Sequence, residues 1–128
     1  MLKREEMPVC DVATTVQVLD SKWKLLIIRD LMTGPKRPAQ LLKSLAGLSQ
    51  KVLTASLKSM ISDGIVEKID YNTMPPHVEY RLSPLGESLR PVIEAMRRWG
   101  EYYKSQLEEQ PQPSNRPLSS TAGVSLSP

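Results

Sequence analysis

Lys36–Asp63, KRPAQLLKSLAGLSQKVLTASLKSMISD, is the stretch on which the reading of this chain turns. Leu41, Leu42 and Leu45 give one short apolar face, and Leu53, Leu57, Met60 and Ile61 fall at the i, i+4, i+7, i+8 spacing of a second helix. Ala46, Gly47 and Leu48 separate the two. Ser49 is placed to cap the second helix by accepting from an otherwise unpaired N–H, and Gly64 follows Asp63 as a left-handed terminator. Helix, three-residue turn with glycine, helix is the helix-turn-helix pattern. Between Asp30 and Asp63 there is no acidic residue, whereas Lys36, Arg37, Lys43, Lys51 and Lys58 all lie inside. With 17 Lys+Arg against 14 Asp+Glu in the whole chain, this segregation says more than the net charge of +3. Such a surface prefers a polyanion.

At about 100° per residue the apolar stripe of the second helix leaves Lys51, Ala55, Lys58, Ser59 and Ser62 on the outer side. Small side chains there let a helix sit deep in a groove. Gln50, Lys51 and Thr54, near the N-terminus, are polar or long enough to reach base edges and phosphates.

Downstream, Ile65–Tyr71 and Val78–Leu82 flank a proline-stiffened turn, Asn72-Thr73-Met74-Pro75-Pro76-His77, and the second run alternates apolar with charged residues. The pattern predicts a β-hairpin. A hairpin directly after a helix-turn-helix is a wing, with Lys68 and Arg81 its cations, and the fold class expected is mainly α with a small β-hairpin wing, a winged helix-turn-helix. Ser83-Pro84 opens a final helical region to about Glu109, which Pro91 should kink or split because its ring removes a hydrogen bond. Upstream, Val9, Val12, Ala13, Val16 and Leu19 predict a short amphipathic helix, and Ser21 caps a second from Lys22 to Met32 that is apolar on most sides and ends at Gly34-Pro35. The organisation expected is a flexible lead-in at 1–8, one domain over 9–109 and a disordered tail over 110–128, where Pro, Ser, Gln and Thr dominate.

Length and composition set the outer limits. A domain of about 100 ordered residues buries only roughly 60 to 70% of its unfolded surface, so a partner subunit would help stability. The chain is 40% hydrophobic and has no apolar run long enough for a membrane span. Met1–Met7 carries both signs of charge and opens no apolar core, so a secretory signal is not expected and a cytoplasmic location fits. One cysteine, Cys10, excludes an intrachain disulfide and argues against a cysteine zinc site. The only histidine, His77, lies at the expected wing tip with no nucleophile and base beside it, so it reads as a solvated tip residue and an enzyme is not expected. Neither cofactor nor metal is called for.

From Cys10 to Tyr103 the chain resembles the HxlR-type winged helix-turn-helix regulators of bacteria, relatives of the MarR group. The resemblance is carried by Lys22-Trp23-Lys24-Leu25-Leu26-Ile27, Gly34-Pro35-Lys36-Arg37 and Leu48-Ser49-Gln50-Lys51-Val52-Leu53-Thr54. It continues through Asp63-Gly64-Ile65-Val66, Pro75-Pro76-His77-Val78-Glu79-Tyr80-Arg81-Leu82 and Leu85-Gly86. It implies a homodimeric transcription regulator binding double-stranded DNA at an inverted repeat, with one recognition helix per subunit in the major groove. Ser49, Gln50, Lys51 and Thr54 match the groove-reading segment, and Lys36 and Arg37 a basic pair before the scaffold helix. The DNA-binding set expected is therefore Lys36, Arg37, Ser49, Gln50, Lys51, Thr54, Lys58, Lys68 and Arg81. Pro38 departs from the family, which usually has an aromatic residue after the basic pair.

Dimerisation is assigned to the first and last helices, through Val12, Val16, Leu19, Val92, Met96, Trp99 and Tyr103, against the alternative that this ridge packs in the subunit's own core. Some relatives use an N-terminal cysteine at the place of Cys10 to sense oxidants or electrophiles. That role needs exposure and thiolate character; Asp11 opposes the thiolate, and Lys22, Lys24 or a helix N-terminus could offset it. A quietly packed cysteine is the competing reading. Trp23, Trp99, Tyr102 and Tyr103 could line a cavity for a small aromatic effector, although aromatics at helical spacing are more often core or dimer contacts. A winged-helix module for protein partners is a further alternative, which the basic, small outer face of the recognition helix speaks against.

Overall fold

Serine side chains set three of the helix starts. In the computed structural model, which describes residues 3–108, the Ser21 hydroxyl accepts from the Lys24 N–H at 3.1 Å and the Ser49 hydroxyl from the Val52 N–H at 3.1 Å. Ser83 accepts from the Gly86 N–H at 3.0 Å. Each satisfies one of the unpaired donors of a first turn. The helices are α1 (Asp11–Val18), α2 (Lys22–Leu31), α3 (Pro38–Ser44), α4 (Gln50–Ser62), α5 (Pro84–Glu87) and α6 (Arg90–Glu108), with strands β1 (Val66–Asp70) and β2 (Val78–Leu82) between α4 and α5. A single 3-10 turn, Arg4–Glu6, lies in the lead-in. Residues 110–128, for which a disordered tail is expected, lie outside the described residues.

The chain divides into two compact units at Arg90 and Pro91. Pro91 thus marks a break rather than a kink: α5 ends at Glu87 and α6 begins afresh at Arg90, with proline in its first turn where a missing N–H costs nothing.

In the first unit Ile27, Ile28, Leu31, Leu41, Leu53 and Met60 are fully buried, so α2, α3 and α4 share one core. Leu45, Leu48, Leu57, Ile65, Val66 and Leu82 complete it. Ile61, grouped with the apolar stripe in the sequence, is on the exposed side, and Ser56 takes a buried place instead. The turn between α3 and α4 needs Gly47 at φ +92°, and α4 ends through Gly64 at φ +78°, conformations that L side chains rarely adopt.

β1 and β2 pair antiparallel, with Val66 opposite Leu82, Glu67 opposite Arg81, Lys68 opposite Tyr80 and Ile69 opposite Glu79. The segment before α3 joins the free edge of β2: the Lys36 N–H donates to the Tyr80 carbonyl at 2.9 Å and the Tyr80 N–H to the Lys36 carbonyl at 2.8 Å. That bridge ties the entry of the helix-turn-helix to the wing. The wing tip has Asn72 at φ +54° and a cis Met74–Pro75 peptide.

α6 makes up the described part of the second unit. Met96, Trp99, Tyr103 and Leu107 are exposed along one side, with the Trp99 and Tyr103 rings stacked at 5.2 Å. Arg97 pairs with Glu94 at 2.9 Å and lies near Glu101 on the opposite side. Among the described residues no helix is long and apolar enough to cross a membrane.

Candidate nucleic-acid interface

Helix α4 presents Gln50, Lys51, Thr54, Ala55 and Lys58 to solvent, with Ser49 exposed at its cap. Gln50 Nε2 donates to Thr54 Oγ1 at 3.4 Å, which aligns the two along the first turns. Among the described residues Lys51, Lys58 and Lys68 form no ion pair, so their charge is uncompensated by the protein itself. An open groove of about 240 Å³ runs between this helix and the wing, bordered by Gln50, Thr54, Lys58, Lys68 and Tyr80, with Pro38 at the start of α3 closing one side. The fold therefore brings together residues that lie up to 42 positions apart, from Pro38 to Tyr80. The N-terminal end of α4 adds the positive end of its dipole to the same surface.

Other expected contacts are placed differently. Directly opposed residues of an antiparallel pair project to the same side, and neighbours along a strand to opposite sides. Lys68 and Tyr80 thus share the groove side, while Arg81 shares the other with Glu67, to which its Nε donates at 2.9 Å. The two wing cations do not act as one patch. Lys36 turns its ammonium back onto Thr33 Oγ1 at 2.8 Å, so its backbone, not its charge, serves the wing junction. Ser59, assigned to the outer face, is half-buried and accepts from Lys24 Nζ at 2.8 Å.

Lys24 is itself buried, and its second partner is Asp20 at 2.9 Å. The hydrogen bond from Lys24 holds the Asp20 carboxyl below its ordinary range. Beside them lies a cavity of about 500 Å³ bordered by Thr14, Leu19, Lys24, Ser59, Ile65 and Leu85; of the four aromatic side chains considered for a pocket none lines it, and Trp99 borders a separate open groove with Pro91, Val92 and Met96. Trp23 instead packs towards Gly47, with the Lys22 ammonium 4.7 Å from its ring centre.

His77 is where the sequence reading needs correcting. It is half-buried, not a solvated tip residue: Nδ1 lies 3.3 Å from an Arg37 amino nitrogen, and Nε2 lies 3.2 Å from Glu79 Oε2. The Tyr71 hydroxyl donates to Glu79 Oε1 at 2.9 Å and its ring lies 4.4 Å from the imidazole. The hydrogen bond from His77, then that from Tyr71, lowers the Glu79 carboxyl, and the same contact raises the Tyr71 phenol. His77 and Glu79 are two apart in an extended run and so share a side, the signal that was present in the sequence.

Cys10 is exposed at the residue before α1, and its carbonyl accepts the Thr14 N–H at 3.1 Å. Lys24, one of the cations considered for Cys10, is instead engaged with Asp20 and Ser59. Of the residues assigned to dimerisation, Val12, Val16, Met96, Trp99 and Tyr103 are exposed and Val92 is half-buried. Leu19 is buried.

The family described as HxlR-like helix-turn-helix matches residues 18–108. The chain belongs to that family. The HTH-type transcriptional regulator YkvN of Bacillus subtilis, itself uncharacterised, is 39% identical over 97 residues, which cover 76% of this chain and 82% of YkvN. Among solved structures, the redox regulator HypR in its reduced form aligns with a TM-score of 0.74 at 33% identity, covering 79% of this chain and all of that one. The reduced transcriptional regulator YodB from B. subtilis aligns with a TM-score of 0.64 at 32% identity, covering 73% of this chain and 93% of its own. The protein is a helix-turn-helix transcriptional regulator with a winged-helix fold and is not an enzyme.

Proposed function

We propose that this HxlR-family regulator binds a specific inverted-repeat operator as a homodimer and represses by occupying it. One observation carries the reading: the outer side of α4 is free of acidic residues, Lys51 and Lys58 form no ion pair among the described residues, and a groove joins that side to Lys68 of the wing. Gln50, Lys51 and Thr54 read the major groove, Ser49 and Lys58 meet flanking phosphates, and Arg37 and Lys68 hold the backbone beside them. Two copies related by a two-fold axis engage half-sites about one helical turn, ~10 bp, or a multiple apart. A fluorescence anisotropy titration against the DNA upstream of its own gene and a scrambled duplex, at two salt concentrations, tests this. Tight, salt-sensitive preference for the upstream duplex is expected. Equal, weak binding to both, or affinity indifferent to salt, refutes it.

The second copy covers the apolar side of α6, where Trp99 is 60% exposed and Met96, Tyr103 and Leu107 flank it. Val12 at 71% and Val16 at 62% exposure on α1 supply further apolar surface. Trp99→Ala removes the largest side chain of that stripe and is expected to weaken self-association about 30-fold, roughly 2 kcal/mol, the scale of an interface aromatic. Sedimentation equilibrium reads it. A dimer of undiminished stability would assign the stripe to the subunit's own packing.

A redox role for Cys10 has support of its own, from its exposure at the start of α1 and from the likeness to a protein described as a redox regulator. A two-electron oxidant such as diamide would join two Cys10 thiols across the dimer, or one Cys10 to a small thiol, the two electrons and the two thiol protons passing to the diazene, which becomes a hydrazine. Diamide should then release the operator from the wild type and leave Cys10→Ser bound. Equal release from both proteins would exclude Cys10.

A further inference from the structure

We infer that His77 is a positioning residue for DNA binding: in its neutral form, protonated on Nε2, it links Glu79 of the wing to Arg37 and holds that guanidinium at the junction of wing and helix α3. The chemistry of the partners allows one arrangement. A guanidinium only donates, so Nδ1, 3.3 Å from it, must be the bare, accepting nitrogen. A carboxylate only accepts, so Nε2, 3.2 Å from Glu79 Oε2, carries the proton. Tyr71 occupies the other carboxylate oxygen and lays its ring against the imidazole, with the two planes at 39°, so neither the acid nor the ring is free to turn away.

Arg37 and His77 lie 40 positions apart in sequence, and the Lys36–Tyr80 backbone pair places them side by side. Only one of the five Arg37 side-chain N–H donors is committed to His77. The rest stay available to a phosphate, on a side chain already held in place. An arginine fixed this way surrenders less freedom on contact than one swinging in solvent. Arg81 lies on the same side of the hairpin but is held by Glu67 and does not compete for the imidazole.

The inference rests on Arg37 meeting DNA, so its test has an arm without DNA. His77 is the sole histidine, and ¹⁵N-histidine labelling gives one pair of ring nitrogen signals. In slightly alkaline buffer the Nδ1 signal should be displaced from that of free imidazole by its hydrogen bond, and Arg37→Ala should abolish the displacement. A protonated Nδ1, or signals that ignore Arg37→Ala, overturns the link whether or not the protein binds DNA. The second arm is a double-mutant cycle on operator affinity. His77→Phe should weaken binding about five-fold in the wild type and not at all in Arg37→Ala, because the effect passes through Arg37. An equal loss in both backgrounds overturns the positioning role. His77→Asn, whose side-chain oxygen takes the place of Nδ1, should recover part of the loss, and its failure to do so while circular dichroism shows a folded protein counts against the acceptor function.

Discussion

Lys51→Glu should lower operator affinity about a hundredfold while leaving the melting temperature unchanged, because a solvated charge on each of two subunits is reversed and each reversal costs roughly 1.4 kcal/mol. Lys51 stands exposed in the first turns of α4, beside Gln50 and Thr54, and has no carboxylate partner among the described residues. Folding therefore does not depend on it. A second variant, Lys51→Ala, separates a phosphate contact from a base contact. If Lys51 meets a phosphate, Lys51→Ala lowers the slope of log affinity against log salt by about 1 per site and weakens all duplexes alike. Should it meet a base edge, the preference for operator over scrambled duplex collapses and the slope changes little. Unchanged binding by Lys51→Glu would mean that α4 is not the reading helix.

What made α4 legible before any coordinates was local chemistry. Ser49, the 53-57-60 spacing and Gly64 each encode a boundary or a buried side within a few residues, and the structure uses all of them: the Ser49 cap, burial of Leu53, Leu57 and Met60, and positive φ at Gly64. The hairpin was legible for the same reason, since Val78–Leu82 alternates with the period of a strand. Relations between distant segments were not. Ser59 belongs by helical angle to the outer side of α4, yet Lys24, 35 positions away, pulls it inward. His77 sits in a turn-rich tip, where solvation is the ordinary reading, until the Lys36–Tyr80 bridge sets Arg37 against it. Lys68 and Arg81 are both wing cations in the sequence, and only the register puts them on opposite sides of the hairpin. Periodicity describes one element at a time, whereas a binding surface is made where elements meet.

Gly86→Ala should lower stability by about 3 kcal/mol or more and the melting temperature by roughly 15 °C. Nothing about its own backbone demands glycine. Its neighbour does: a Cβ at Gly86 would stand 2.2 Å from the Ile65 carbonyl oxygen and 3.2 Å from its carbon, both backbone atoms with no side-chain torsion to relieve them. To make room α5 would have to lift away. The same carbonyl accepts the Ser83 N–H at 3.0 Å, and the Ser83 hydroxyl in turn caps Gly86, so lifting α5 breaks the cap and the strand exit together. Ile65, Val66 and Leu82, buried at the base of the wing, would open to water. Gly100, with open space around the position of a Cβ, meets no such obstacle and makes the paired control. Thermal unfolding followed by circular dichroism reads both variants. If Gly86→Ala melted with the wild type, the close approach of α5 to Ile65 would be wrong. If it melted early yet still bound operator at low temperature, the wing would tolerate a loosened base, and the rigidity inferred for the Arg37–His77 junction would come from the Lys36–Tyr80 bridge and the Glu79 and Tyr71 contacts rather than from α5.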